Sequence, residues 1–176
     1  MVLFETDRTI VKRFTAADAE FFFQVNGDPD IMRFIRKPKN REESDLFLQE
    51  NINFYQDGST LGRYAVFEKG SEKFLGTFSF LYMSGDADFH LGYALIPEAW
   101  GKGFATELTR AGITYFFNQT EKPVIFAITE AANDASQAVL LKAGFIKKSQ
   151  TEENGKTVDM FYITRSGEVL TDMENK

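Results

Sequence analysis

Between Phe89 and Thr129 the spacing of apolar residues changes twice, and few folds accommodate the result. Phe89 to Ile96 is a β-rich run, and Pro97 breaks it. Ala105, Leu108, Gly112, Tyr115 and Phe116 then recur at helical spacing, and Pro123 to Thr129 returns to a strand pattern. A strand, helix and second strand of these lengths predict a parallel crossover. Whatever surrounds it has to supply neighbours for both strands.

Upstream, Arg63 to Glu68 and Phe74 to Met83 read as strands that join Phe89 to Ile96 in an antiparallel meander. Lys69-Gly70-Ser71-Glu72 and Ser84-Gly85-Asp86 supply the turn compositions between them. Thr9 to Phe14 reads as a first strand. Thr15 with Asp18 opens a helix ending at Gly27, Asp28-Pro29 starts a short one, and Asn40 with Glu43 caps a third that Gly58 stops. Downstream, Asn133 to Ala143 is a last helix. It precedes strands Phe145 to Thr151 and Thr157 to Ile163, which turn on Asn154-Gly155, a strong hairpin signal. The sum is an α/β (α+β) domain with a mixed, mostly antiparallel sheet of about seven strands. We expect one domain over residues 1–170 and a short tail over 171–176.

Composition bounds the chemistry. A chain of 176 residues that is 43% hydrophobic, with 19 Phe, fills a real core; the runs Phe21-Phe22-Phe23 and Phe74, Phe78, Phe80, Tyr82 are assigned to it. Without Cys there are no disulfides, thiolate metal sites or covalent Cys chemistry, and His90 is the lone imidazole, so no metal is expected. The formal charge of −6 speaks against nucleic-acid binding. No run approaches the roughly 20 apolar residues of a membrane span, and the N-terminus is acidic where a signal peptide is basic. A cytoplasmic protein is expected, with no membrane partner.

The turn Trp100-Gly101-Lys102-Gly103-Phe104-Ala105-Thr106 lies between strand and helix and is small where an anion would approach the backbone. A helix start carries about half a positive charge and unpaired donors, so a pyrophosphate there needs no large basic patch. Lys102 adds a charge at its rim. The turn is neither a Walker loop nor a dinucleotide fingerprint.

The run Leu91-Gly92-Tyr93-Ala94-Leu95-Ile96-Pro97-Glu98-Ala99-Trp100-Gly101-Lys102-Gly103-Phe104-Ala105-Thr106-Glu107 resembles the acetyl-CoA signature of the GNAT superfamily of N-acetyltransferases. Asn133-Asp134-Ala135-Ser136, followed by Val139, Leu140, Lys142 and Gly144-Phe145, is similar to a second motif found in the branch that acetylates the N-termini of ribosomal proteins. This branch often has an aromatic where Trp100 stands. The resemblance implies the GNAT fold, with two strands splayed at the cofactor and acetyl-CoA as co-substrate. It implies cofactor contacts at Leu95, Ile96, Gly101, Lys102, Gly103, Phe104, Ala105, Thr106, Asn133 and Ser136.

An amine would attack the thioester directly, with a backbone N–H stabilising the tetrahedral oxyanion. Many relatives protonate the departing thiolate with a Tyr where this chain has Leu140, and the resemblance offers Ser136 instead. Ser136 also suits plain helix capping. His90 is the candidate general base, because imidazole titrates in the right range.

The acceptor is an amine, on a protein N-terminus or a small molecule. An α-amine of pKa about 8 loses roughly 1.4 kcal/mol to protonation at pH 7, and a lysine of pKa about 10.4 roughly 4.6 kcal/mol, so a site without an assured side-chain base leans toward N-terminal or other low-pKa amines, or toward a water chain serving as the base. Glu42, Glu43 and Asp45 are candidates to greet a cationic acceptor or to serve as solvated caps. The alternative reading is a non-catalytic acyl-CoA-binding or sensing module. A monomer and a homodimer fit equally.

Overall fold

The computed structural model describes residues 1–55, 60–83, 88–153 and 155–170. Gly58, the Ser84-Gly85-Asp86 turn, Asn154 and the tail Thr171 to Lys176 lie outside the described residues.

Eight strands form one sheet in the order β1-β2-β3-β4-β5-β6-β8-β7. The meander is β2 (Thr9–Arg13), β3 (Gly62–Glu68), β4 (Phe74–Tyr82) and β5 (Phe89–Leu95), antiparallel throughout. Helices α1 (Ala19–Asn26), α2 (Pro29–Met32) and α3 (Arg41–Phe54) lie between β2 and β3. Helix α4 (Phe104–Gln119) crosses from β5 to β6 (Val124–Glu130), which runs parallel to β5. Helix α5 (Asp134–Lys142) precedes the hairpin of β7 (Ile146–Glu153) and β8 (Lys156–Thr164), and β8 lies antiparallel to β6.

The eighth strand, β1 (Val2–Glu5), exceeds the expected count. It is a four-residue edge strand against β2, too short for alternation to declare itself. The contact that holds it is long-range, Phe4 meeting Phe78 edge-on at 5.4 Å.

Local signals explain the helix starts. The Asp28 carboxylate accepts from the amides of Asp30 and Ile31, with Pro29 at the first helical position. Asn40 and Glu43 cap each other's amides at 2.9 Å. Thr15 opens a single 3-10 turn, Ala16–Asp18, before α1.

Alternation along β4 sorts its side chains to two faces. Phe78 and Phe80 are fully buried toward α4, with Phe80 5.8 Å from Phe116. Each such ring contributes about 1.5–3 kcal/mol through burial. Thr77 and Ser79, with His90 and Gly92 of β5, turn to the opposite face and line a cleft. Two aromatics assigned to the core reach the surface instead: Phe21 is 36% exposed and Tyr82 51%.

Candidate functional site

Strands β5 and β6 pair at one position, His90 with Phe126, and then diverge. The amide of Ile96 donates to Leu75 O and that of Met83 to Asp88 O, both at 2.9 Å. These fix the phase of the β4–β5 ladder. Even-numbered residues of β5 bond to β4, while the N–H and C=O groups of Leu91, Tyr93 and Leu95 point toward β6. The His90–Phe126 bridge occupies the Leu91 amide, and beyond it no described β6 backbone is paired with Tyr93 or Leu95. Ile96 therefore spends its amide on β4, is buried, and does not line the cleft. The Leu95 carbonyl is taken by the Trp100 indole N–H at 2.7 Å, which leaves the Tyr93 backbone and the Leu95 N–H facing the gap.

The gap leads to the start of α4. Gly101 and Gly103 have φ of +69° and +80°, backbone that side chains rarely adopt, and Gly103 is the N-cap. A Cβ on Gly101 would meet nothing within 4 Å, so that glycine serves the turn's shape and not a tight fit. No side chain caps α4. Its first-turn amides, those of Phe104, Ala105 and Thr106, have no intrahelical acceptors. Gly101, Gly103, Phe104, Ala105 and Thr106 line the cleft, whereas Lys102 does not.

Arg8, in the β1–β2 turn, holds this loop from behind, a role that sequence reading missed. Its guanidinium donates to Lys102 O at 3.0 Å and to Glu107 Oε2 at 2.6 Å, and lies 4.3 Å from the Phe104 ring centroid. No local pattern announces a contact across so much sequence.

Across the gap, the Asn133 side chain caps α5 by accepting from the Ser136 amide at 3.1 Å. The Ser136 hydroxyl stays available and lies 3.2 Å from the Tyr93 hydroxyl. Burial pushes the Tyr93 phenol above its ordinary pKa, against the opposing effect of that hydrogen bond. Leu140 is 2% exposed, a core residue on the same helix. His90, Tyr93 and Ser136 all line one cleft of about 1140 Å³. Burial holds the His90 imidazole below its usual range. The nearby Arg63 charge adds to this, and a hydrogen bond with the Leu91 backbone opposes it.

Of the acids weighed as acceptor contacts or caps, Glu43 is in its capping box and Asp45 on Arg41 at 3.0 Å, and none of Glu42, Glu43 and Asp45 lines the cleft. The cleft wall opposite β6 carries Arg33, Arg36 and Arg63 instead. Among the described residues there is no group of three or more His, Cys, Asp or Glu able to hold a metal ion, and no helix is long and apolar enough to cross a membrane.

A family model described as an acetyltransferase (GNAT) domain matches residues 8–146. The chain is 28% identical over 149 residues to the uncharacterised N-acetyltransferase YoaA of Bacillus subtilis (strain 168), covering 83% of this chain and 84% of that one. Many solved structures share the fold, among them two with CoA bound. One is RimL, a ribosomal L7/L12 alpha-N-protein acetyltransferase in complex with coenzyme A (TM-score 0.81, 18% identity, 96% of this chain and 100% of that). The other is spermidine N-acetyltransferase from Vibrio cholerae in complex with CoA and spermine (TM-score 0.77, 17% identity, 90% and 96%).

Proposed function

Since this chain belongs to the acetyltransferase (GNAT) domain family, and is an acyltransferase, we propose that its cleft holds acetyl-CoA along the diverging β5 and β6 and passes the acetyl group to an amine with a free α-amino or similarly weakly basic group. The observation that carries this reading is the opening of the β5 backbone and the uncapped α4 amides into the same cleft. The diphosphate would rest on the amides around Gly101, Gly103, Phe104, Ala105 and Thr106, with Lys102 as a rim charge. The pantetheine arm would pair with the backbone of Tyr93 and Leu95, beside Ile96.

The reaction needs three services. A β5 amide donor facing the gap stabilises the tetrahedral oxyanion, and losing such a donor typically costs about 3–4 kcal/mol. His90, held neutral by burial, accepts the proton that the amine sheds as its nitrogen bonds to the acyl carbon. When the C–S bond breaks, the Ser136 hydroxyl, hydrogen-bonded to Tyr93, donates its proton to the thiolate and recovers one from water, while His90 returns the amine's proton to water, so that one proton has passed in net from amine to thiol. A thiol of pKa about 8.5 is a tolerable leaving group, so this last service assists and does not dominate. Asn133 contributes by fixing the first turn of α5.

The test is CoA release from acetyl-CoA with a panel of amines. Steady thiol production with α-amines above that with lysine side chains at neutral pH is expected. Faster turnover of lysine side chains, or CoA binding with no turnover across the panel, would sink the proposal.

A further inference from the structure

Arg63 lies on β3 opposite Ser79, on the sheet face that carries His90, and Arg36 follows α2 on the adjoining wall. Both guanidinium carbons sit against the Phe47 ring, 4.4 Å and 5.1 Å from its centroid, and Lys39 Nζ is 4.7 Å from the same ring. Among the described residues neither guanidinium is in an ion pair. Arg8 and Arg41, by contrast, end on carboxylates, while Arg110 and Arg165 end on carbonyls. Asp30, Glu130 and Glu153 line the same cleft, yet neither Asp30 nor Glu153 is in an ion pair with either arginine, and Glu130 is engaged by Lys156.

Two half-buried like charges without a counter-ion are unfavourable. Burial, then the Arg36 charge, lowers Arg63 to about 10, which leaves it protonated at neutral pH. A chain of formal charge −6 has acidic groups to spare, yet of those described Glu50 acts on Arg63 only through space, and no carboxylate closes an ion pair with either arginine. A planar guanidinium presents a fork of donors matched to carboxylate and phosphate oxygens.

We propose that Arg36 and Arg63 form an oxyanion subsite in the acceptor half of the cleft, so that the preferred amine carries a carboxylate or phosphate near its nucleophilic nitrogen. This rests on the transferase reading above and narrows its substrate class. A polycationic amine is disfavoured at such a wall.

The experiment measures kcat/KM with matched acceptors. The peptides Ser-Glu-Gly-Gly and Ser-Lys-Gly-Gly, both amidated, present the same α-amine, while ethanolamine phosphate and ethanolamine form the small-molecule pair. The anionic member of at least one pair is expected to be preferred by about ten- to a hundredfold, the range of charge-assisted hydrogen bonds, and the pair in which this occurs identifies the source of the anion. Arg36→Gln and Arg63→Gln should each erase most of that preference through the acceptor KM, in protein that CoA still stabilises thermally. Should Arg63→Gln fail to fold, Arg36→Gln and the wild-type preference decide.

Equal or reversed preference in both pairs overturns the subsite, as does a defect that falls on the acetyl-CoA KM, which would assign the arginines to the cofactor. Turnover of neutral amines in that case leaves the transferase reading standing. Absence of turnover with every amine removes both.

Discussion

At the scale of single residues, the site is made of ordinary groups shifted by their surroundings. His90 has its folded-state pKa below the ordinary value, so it remains a proton acceptor at pH values where an exposed imidazole is already charged. With the acceptor amine's own titration divided out, the acidic limb of kcat/KM should therefore lie below about pH 6.5, the reference value of an exposed His. His90→Gln should remove that limb and cost about 10²-fold, the lower end for general bases; a pH profile unaltered by the substitution assigns the base to another group. The Ser136–Tyr93 pair is a smaller matter. Because the thiol leaves readily, Ser136→Ala and Tyr93→Phe should each lower kcat by about tenfold, short of the full acid–base range, with little change in KM. The double variant should cost no more than the worse single one, since the Tyr93 hydroxyl acts through that of Ser136. Additive losses would show that they act apart. Sequence reading singled out Ser136 from its motif. It passed over Tyr93, because a tyrosine on a strand gives no hint of the helix it will face.

At the scale of elements, β5 is the part of the sheet on which the proposed function rests. Its ladder phase gives an expectation that no side chain enters: in hydrogen exchange, the amides of Gly92 and Ala94, bonded to β4, should be protected without ligand, and those of Tyr93 and Leu95 should exchange faster. CoA should slow the second pair and leave the first little changed. Protection of Leu95 in the free protein would mean that the gap is closed. Helix α4 is seated equally closely, since a Cβ at Gly112 would collide with the Phe78 ring, its Cε2 lying 3.1 Å away. Gly112→Ala gains about 1 kcal/mol of helix propensity and loses about 1–3 kcal/mol to overpacking, so a net fall in melting temperature is expected on thermal unfolding, and a rise would contradict the packing. The strands and helices themselves were legible because period 2 and period 3.6 are local properties. The crossover, the meander and the caps at Asp28 and Asn40 all appear where composition placed them. Arg8 behind the α4 turn and Arg36 beside Arg63 were not legible, because each is defined by a contact that only the closed fold creates.

At the scale of the whole molecule, the sheet is two blocks, β1 to β5 and β6 with β8 and β7, joined among the described residues at a single β-bridge and spanned by α4. A ligand lying along the gap contacts both blocks at once. Saturation with CoA at about a hundred times its Kd adds roughly 2.7 kcal/mol to the stability, which for a chain of this size raises the melting temperature by about 5–10 °C. Gly103 decides whether that stabilisation depends on the α4 turn. Its φ of +80° means any side chain introduces strain, at a cost of about 1–2 kcal/mol. Gly103→Ala and Gly103→Glu should thus lower the melting temperature of the free protein by similar amounts. They part company with CoA, because only Glu sets a negative charge where the diphosphate meets the helix amides. Gly103→Glu should lose nearly all of the CoA-induced shift, whereas Gly103→Ala should keep much of it. Equal retention by both variants would place the diphosphate away from this helix mouth, and the acetyl group it carries away from β5.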